Sequence, residues 1–166
     1  QDTSQIGFVS IKNNSIGENN AFQRVSGSIS EAGMVAVAID LTSVETGVGI
    51  RNERLQTMLF DVASFPSATV KATLSPAQVM ALRGGGTVTE SVALDVSLYG
   101  TTVSKTAELL VSVLDDDVRV TSTQPIMITA QDFGLESGVA ALQKIAGLSA
   151  ISRSIPITVD LRLTAN

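Results

Sequence analysis

The sequence contains no cysteine and no histidine. Without cysteine there is no disulfide and no thiol nucleophile, and without histidine there is no Ser–His–Asp triad and none of the usual zinc ligand sets. A Ser–Lys dyad would need a short-range motif that the sequence does not have. Catalysis is therefore the least favoured of the functions considered.

Aromatic residues and basic clusters are also scarce. Five Phe, one Tyr and no Trp accompany a hydrophobic content of 44%, so the core must be built mainly from Val, Leu, Ile and Ala. The eleven Lys and Arg residues are scattered through a chain of net charge −5. A nucleic-acid partner is disfavoured, because phosphate binding requires a concentrated positive face. No apolar run is long enough to span a membrane, and the length fits one domain, residues 1–166.

Alternating apolar and polar residues predict strands along most of the chain. The clearest segment is Thr87–Leu98, followed by one from Val103 to Val113 and a long final one from Ile155 to Leu163. Polar loops are expected at Asn13–Asn14 and Gly17–Asn20. Further strands are predicted at 4–12, 22–30 and 34–41, after Pro66, near Val120 and at 126–128, about eight in all.

Two tight turns set the predicted register of three consecutive strands. A type II′ turn at Gly100–Thr101 would place Leu94 opposite Ala107. A second turn at Asp115–Asp116 would join the next two strands. Both registers put the apolar side chains of the three strands on one face of the sheet.

Helices are expected at three places. A short one follows Gly49, and a second begins at Ser75-Pro76-Ala77-Gln78, where serine, proline and glutamine form a capping-box pattern. The longest candidate covers Asp132–Leu148. The first two are interpreted as connectors between strands.

The strands can bury their apolar faces in two ways. One is a sandwich of two sheets, and the other is a closed barrel. Long strands joined by tight hairpins favour the up-and-down barrel. The shortage of aromatic residues favours free space inside it.

A few polar residues require a separate interpretation. The run Asp115–Asp117 is interpreted as a solvated hairpin turn rather than a calcium site, because no spaced ligand loop follows it. Glu90 and Lys105 share strand faces with apolar residues. Each is expected near a barrel rim, either as a strand end or as a contact to the polar head of a bound lipid.

The segment Ile39–Thr69 poses the choice between a filled core and a ligand cavity. It reads as a strand, a glycine-bearing turn, the short helix and a second strand introduced by Phe65–Pro66. The group of apolar residues in question is Leu55, Met58, Leu59, Phe60 and Phe65. Core packing and ligand lining both explain them, and periodicity does not separate the two.

The same segment carries a family resemblance. It contains Ser43-Val44-Glu45-Thr46-Gly47, Arg51-Asn52-Glu53-Arg54-Leu55, Phe60-Asp61-Val62 and Phe65-Pro66. The stretch Leu94–Lys105 around Gly100, then Asp132-Phe133-Gly134 and the final alternating strand, follow in the same order. Together these elements resemble the YceI-like family, with Asn52 standing where the family usually has Asp.

The resemblance implies an all-β fold with short helices: an eight-stranded antiparallel lipocalin-like up-and-down β-barrel with an apolar interior. The interior would bind a polyprenyl lipid or an isoprenoid quinone such as ubiquinone, for carriage, storage or as a bound redox lipid. No metal and no other cofactor are implied. We expect a periplasmic or secreted protein, and a homodimer is left open. Because the chain begins at Gln1 without a methionine, it is interpreted as a processed or excised piece in which no signal peptide is visible.

The residues expected to contact the lipid lie on the apolar faces of the predicted elements, with two arginines beside the lipid head. They are Phe8, Phe22, Val37, Ile39, Arg51, Arg54, Leu55, Met58, Leu59, Phe60, Phe65, Val92, Leu94, Val96, Leu109, Val111, Ile128, Phe133, Leu142 and Ile145. The alternative function is a structural or adhesion module of a larger secreted protein, with a filled core and its function on the surface.

Overall fold

The computed structural model describes residues 4–165, which form a β-barrel with short helices. The strands are β1 (Gln5–Lys12), β2 (Ile16–Phe22), β3 (Val25–Ile29), β4 (Met34–Asp40), β5 (Val44–Glu45), β6 (Ser67–Thr73), β7 (Gly86–Leu98), β8 (Thr101–Leu114), β9 (Asp117–Ser122), β10 (Ile126–Thr129) and β11 (Ser154–Ala165). The helices are α1 (Gly49–Arg54), which continues as a π-helical turn (Leu55–Leu59), α2 (Pro76–Arg83) and α3 (Glu136–Ile145). None of the helices within residues 4–165 has the length and apolar character needed to cross a membrane.

Seven of the strands close into the barrel. Their order is β3-β4-β6-β7-β8-β9-β11, and β11 returns to β3 through a short parallel contact at Thr164 and Ser28. Strand β11 also pairs with strands outside the ring. It pairs with β10 along one edge and with β1 along the other, and β1 is followed in the sheet by β2 and then β5. The predicted lipocalin-like barrel is confirmed, but the closed ring has seven strands instead of eight, and one pair is parallel.

Strand β11 is the most highly connected strand of the sheet, because it pairs with four other strands. Its first half pairs with β1 and β10, and its second half with β9 and β3. Its inward side chains run from Ile155 to Leu163 at every second residue, as the alternation in the sequence predicts. The strand therefore joins the barrel to the additional β1–β2 hairpin.

The turn between β7 and β8 differs from the prediction. It consists of Tyr99 and Gly100, with φ values of 54° and 75°, so Leu98 pairs with Thr101 and Val92 pairs with Ala107. The predicted turn at Gly100–Thr101 is wrong by one residue. Two consecutive positive φ values are typical of a type I′ turn, whose twist matches that of the paired strands. Moving the turn by one residue shifts the strand pairing by two residues, so that Ala107 lies opposite Val92 instead of Leu94. Because side chains alternate between faces with a period of two, the same side chains still face inward.

The turn between β8 and β9 is confirmed at Asp115–Asp116. Asp117, the third residue of the acidic run, accepts a hydrogen bond from Arg162 at 3.2 Å. Among residues 4–165 no three acidic side chains come together in a way that could hold a metal ion.

The beginning of the chain is more regular than predicted. The expected polar loop Gly17–Asn20 lies inside β2, which pairs with β1 along its full length, and the expected strand 22–30 is divided between β2 and β3. Polar composition misled the prediction, because hairpin pairing overrides the low strand propensity of Asn and Gly. Within β3, Gly27 allows close packing, since a Cβ there would lie 2.5 Å from the Leu163 side chain.

The helices follow the predicted signals in part. In α2, the Ser75 hydroxyl accepts from the Gln78 backbone N–H, and the Gln78 side chain accepts from the Ser75 N–H, which confirms the capping box. The predicted helix Asp132–Leu148 is wrong at both ends, because a 3₁₀ turn covers Gln131–Phe133 and α3 spans only Glu136–Ile145. Gly134, at φ 68°, ends the 3₁₀ turn in a left-handed conformation that interrupts helical geometry.

Glu90 and Lys105 lie within strands, so the expectation of strand ends is wrong. Each has a protein partner: Gln78 donates a hydrogen bond to Glu90 at 3.1 Å, and Lys105 forms an ion pair with Asp132 at 2.9 Å. The hydrogen bond from Lys105, helped by the Thr129 N–H, holds the pKa of Asp132 below its ordinary range. These contacts give both residues a structural role.

We predict that Gly33→Ala destabilises the barrel. Gly33 has φ 85°, and a Cβ there would lie 2.6 Å from Val79 and 3.2 Å from Leu74, so both strain and overpacking oppose alanine. The free energy of unfolding should fall by about 1–3 kcal/mol in urea denaturation. Gly47→Ala is the matched control, because Gly47 has a similar φ of 78° but open space around it. An equal decrease in the free energy of unfolding for the two variants would contradict the argument that Gly33 is required by close packing.

Candidate functional site: an apolar cavity with a polar mouth

The barrel encloses an elongated cavity of about 480 Å³. Its walls consist mainly of aliphatic side chains from the barrel strands, together with residues of α1 and α3. On β11 alone, the wall extends from Ile155 to Leu163, which is eight residue steps or about 26 Å along the strand. A cavity of this shape fits an extended apolar chain better than a compact ligand.

The cavity opens at one end. Of all its wall residues, only Val48, Ile50 and Ala146 are exposed; the others are buried or half-buried. Val48 and Ile50 lie at the beginning of α1, and Ala146 directly follows α3. We call this opening the mouth. At the opposite end the wall includes Leu82 of α2.

A polar cluster lies beside the mouth, formed by β1, β2 and α1. Lys12 forms an ion pair with Glu18 at 2.6 Å, and Arg51 forms a second ion pair with the other oxygen of the same carboxylate. The Lys12 hydrogen bond, aided by the charge of Arg51, lowers the pKa of Glu18 below its ordinary value of 4.5 against the opposing effect of burial. Two cations therefore share one anion at the cavity wall.

The turn before α1 positions the arginine of this cluster. The Asn52 side chain accepts hydrogen bonds from the Thr46 N–H at 2.9 Å and the Thr46 hydroxyl at 2.6 Å. The Thr46 carbonyl in turn accepts from Arg51 at 2.8 Å. Gly47, at φ 78°, makes the turn possible. The Thr-Gly and Arg-Asn elements of the sequence thus form one structural unit.

Two polar atoms of the cluster lack hydrogen-bond partners among residues 4–165. Asn20 is buried and donates to Ser10 at 3.0 Å, but its Oδ1 accepts no hydrogen bond from this part of the chain, and Arg51 Nε donates none to it. Arg54 also belongs to the cavity wall, and its guanidinium makes no hydrogen bond or ion pair with residues 4–165. Unsatisfied buried polar groups are costly, so these atoms are suited to a ligand with its own polar group.

The helices over the cavity are held close together. At Gly138 of α3, a Cβ would lie 3.0 Å from both Leu59 Cδ1 and the Met58 carbonyl oxygen. The absence of a side chain at this position therefore allows α3 to rest directly on the π-helical turn.

Comparison with known proteins identifies the family. The description of the family model that matches residues 1–163 is YceI-like domain. This chain belongs to the YceI-like domain family. A comparison with curated protein sequences gives no match.

Solved structures share the fold of this YceI-like domain. A polyisoprenoid binding domain from Saccharophagus degradans, implicated in plant cell wall breakdown, is 34% identical, with a TM-score of 0.89 over 96% of this chain and 92% of that chain. BcnA from Burkholderia cenocepacia is 20% identical, with a TM-score of 0.71 over 97% and 96% of the two chains. The YceI protein of Campylobacter jejuni is 13% identical, with a TM-score of 0.61 over 89% and 84%. The last two show a similar fold only.

The cavity brings together sixteen of the twenty residues predicted to contact a lipid. These are Phe8, Phe22, Val37, Ile39, Arg51, Arg54, Leu55, Leu59, Phe60, Val92, Leu94, Val96, Leu109, Val111, Ile128 and Leu142. Their position in the wall is a property of the structure, and their contact with a lipid stays a prediction. Three of the phenylalanines are adjacent, since the Phe22 ring lies 5.3 Å from Phe8 and 5.7 Å from Phe60.

The other four residues lie outside the cavity wall. Phe133 is fully buried in the packed core, and Ile145 is half exposed at the end of α3. The Phe65 ring packs on Tyr99 at 5.0 Å, near the β7–β8 turn. Met58 lies beneath α3, where its carbonyl approaches Gly138. Periodicity identified these residues as apolar but not the direction in which they point.

Sequence reasoning missed the polar part of the site. The cavity wall includes Lys12, Glu18, Asn20 and Thr46. The sequence pattern indicates no role for Lys12 and predicts a loop for Glu18 and Asn20. A signal was available, because Glu18 and Asn20 share the parity of Phe22. Polar residues that lie on the same strand face as a buried aromatic residue indicate a polar end of an apolar cavity.

We predict that acid weakens the mouth cluster. Because the pKa of Glu18 is lowered from 4.5 in the folded protein, its stabilising effect is present above about pH 4.5 and is lost as the pH falls through the folded pKa. Glu18→Gln removes this contribution. Below pH 4.5, the unfolding free energy of the parent should therefore fall more steeply with decreasing pH than that of the variant.

The measurement is urea denaturation at several pH values between neutral and strongly acidic. Glu31→Gln is the control, because Glu31 is exposed and its carboxylate makes no ion pair within residues 4–165. Its pH dependence should match that of the parent. Parallel curves for all three proteins would show that the Glu18 ion pairs contribute no pH dependence.

Proposed function

We propose that this YceI-like domain binds a long-chain isoprenoid lipid, with the tail in the barrel and the head at the mouth. The observation that carries the proposal is the shape of the cavity, which is elongated, aliphatic and polar only toward its opening. The description of the 34% identical relative as a polyisoprenoid binding domain supports it.

The apolar tail supplies most of the binding free energy. Burial of apolar surface stabilises a complex by about 25 cal/mol per Å². A tail that loses about 400 Å² of water-exposed surface would gain about 10 kcal/mol before the entropic costs of association. The aliphatic walls suit a flexible chain, because they impose few directional contacts.

The head of the lipid lies at the polar cluster in this proposal. Arg54 and Arg51 Nε can donate hydrogen bonds to the carbonyl oxygen of an isoprenoid quinone such as ubiquinone, or to the oxygen atoms of a polyprenyl lipid head. Asn20 Oδ1 can accept a hydrogen bond from a hydroxyl group. Hydrogen bonds to a charged group are worth about 1.5–3 kcal/mol each, so the cluster selects the head while the tail provides affinity.

The proposed role is binding without catalysis. Carriage or storage of the lipid, or its retention as a redox lipid, would each use the same cavity. We also propose a periplasmic or secreted location, where a lipid with a long tail needs a protein shield from water. A homodimer stays a prediction. The alternative of a structural or adhesion module with a filled core is less well supported, because the interior is open along the barrel.

Lipid extraction tests the proposed function. We expect organic extracts of the natively purified protein to contain an isoprenoid by mass spectrometry, and lipid-free protein to take up added ubiquinone. A protein of similar size from the same purification scheme, extracted in parallel, controls for carried-over membrane lipid. Repeated extracts without isoprenoid, together with no uptake of quinone, would contradict the proposal.

Leu94→Trp tests whether the cavity is the binding space. Leu94 belongs to the wall, so an indole can enter the open volume, and the free energy of unfolding should change little while lipid uptake falls. Ala107→Leu is the control, because Ala107 is buried outside the cavity and enlargement there should cost about 1–3 kcal/mol through overpacking. Loss of stability in both variants, with lipid uptake intact in Leu94→Trp, would contradict the assignment.

A further inference from the structure

Exposed apolar side chains surround the mouth. Val48 and Ile50 belong to the cavity wall and are 43% and 53% exposed. Ile16, at the tip of the β1–β2 hairpin, is 46% exposed, and Ile145, at the end of α3, is 51% exposed. Large aliphatic side chains that remain this accessible around one opening are candidates for contact with an apolar partner.

Three segments hold these side chains at the same end of the barrel. Ile16 pairs with Lys12, so both lie on the hairpin face that lines the cavity. The segment after α3 reaches the same hairpin, where Asn13 donates to the Ala150 carbonyl at 2.9 Å and Lys12 pairs with Ile151. Arg51 connects α1 to this hairpin through Glu18. We call the surface formed by residues 11–18, 45–54 and 144–153 the mouth face.

The mouth face is positive although the chain is negative. It contains five basic residues, Lys12, Arg51, Arg54, Lys144 and Arg153, and three acidic ones, Glu18, Glu45 and Glu53. The resulting charge of +2 contrasts with −5 for the whole chain, which leaves −7 on the remaining residues. Positive charge is therefore concentrated where the apolar side chains are exposed.

We propose that the mouth face docks on the surface of a lipid bilayer that contains anionic lipids. The aliphatic side chains would enter the headgroup region, while the basic residues would lie at the level of the lipid phosphates. The cavity would then open directly into the bilayer. A lipid tail could pass between bilayer and barrel without crossing water, which would otherwise oppose the transfer.

The charge of the face favours a bilayer over a second copy of this chain. An isologous dimer through the mouth face would bring two surfaces of +2 together, and the repulsion would oppose association. An anionic bilayer instead attracts the mouth face and repels the remaining, negative surface. The same charge distribution thus provides both binding and orientation.

The opposite end of the barrel supplies a matched control. Met80 on α2 and Leu114 at the end of β8 are 74% and 76% exposed, more than any of the apolar side chains at the mouth. They lie near a small recess between α2 and the β8–β9 turn, away from the mouth. If exposed apolar surface alone drove membrane binding, this end would contribute at least as much.

Vesicle sedimentation tests the proposal. The parent, a Val48→Ser/Ile50→Ser variant and a Met80→Ser/Leu114→Ser variant are mixed with vesicles of phosphatidylcholine, with and without about a quarter phosphatidylglycerol. We expect the parent to bind the anionic vesicles and to be released by salt. The mouth variant should bind about tenfold more weakly, since Val48 and Ile50 are each about half exposed and together expose about one full aliphatic side chain, whose burial is worth about one factor of ten. The control variant should bind like the parent.

Further measurements make each outcome decisive. Thermal unfolding of the variants verifies that they fold, and a second mouth variant, Ile16→Ser/Ile145→Ser, repeats the test on separate elements. Equal binding by the mouth and control variants would overturn the proposal, as would absence of binding to anionic vesicles. A dimer in sedimentation velocity that the mouth variant abolishes would assign the face to a second copy and would also overturn it.

The idea of loading from the bilayer rests on the proposed function, but vesicle binding does not. If the protein binds anionic vesicles yet yields no isoprenoid on extraction, the proposed ligand is wrong and the docking surface stands. If it yields isoprenoid but ignores vesicles, the proposed function stands and the docking surface is wrong. The two failures are therefore distinguishable.

Discussion

The return of β11 to β3 is the contact on which the rest of the structure depends. It converts a twisted sheet into a closed barrel, and it is short and parallel. Gly27 makes it possible by leaving room for the Leu163 side chain. Once the barrel is closed, every second side chain of each strand points into a common interior. Because aromatic side chains are scarce, that interior is not filled. The cavity is thus a consequence of closure combined with composition.

The polar mouth balances two requirements. Charged side chains in an apolar wall need partners, and Glu18 meets this need for Lys12 and Arg51 by accepting from both. Complete pairing would leave no donor or acceptor for a ligand, but the Arg54 guanidinium, Asn20 Oδ1 and Arg51 Nε have no partner within residues 4–165. The charges of the cluster are therefore compensated without a ligand, while a few donors and one acceptor are left unpaired in the part of the chain that the structure describes.

The sequence predicts the barrel well where one physical signal dominates. Strict alternation identifies β7, β8 and β11, and the faces of these strands are correct even though the Tyr99–Gly100 turn shifts the β7–β8 pairing. Prediction fails where tertiary pairing overrides local preference. Asn19 and Asn20 suggest a loop, but hairpin pairing with β1 places them in a strand. Likewise, the apolar character of Phe65 and Phe133 is evident, whereas their direction depends on neighbours that are distant in sequence.

Gly138 has a consequence for the shape of the cavity. Because α3 rests on the π-helical turn without an intervening side chain, the distance between the two helices is set by the missing Cβ. A methyl group at this position would press against both Leu59 and the Met58 carbonyl oxygen, so one of the two elements would have to shift. The position of Leu59, a residue of the cavity wall, therefore depends on a glycine that does not itself line the cavity.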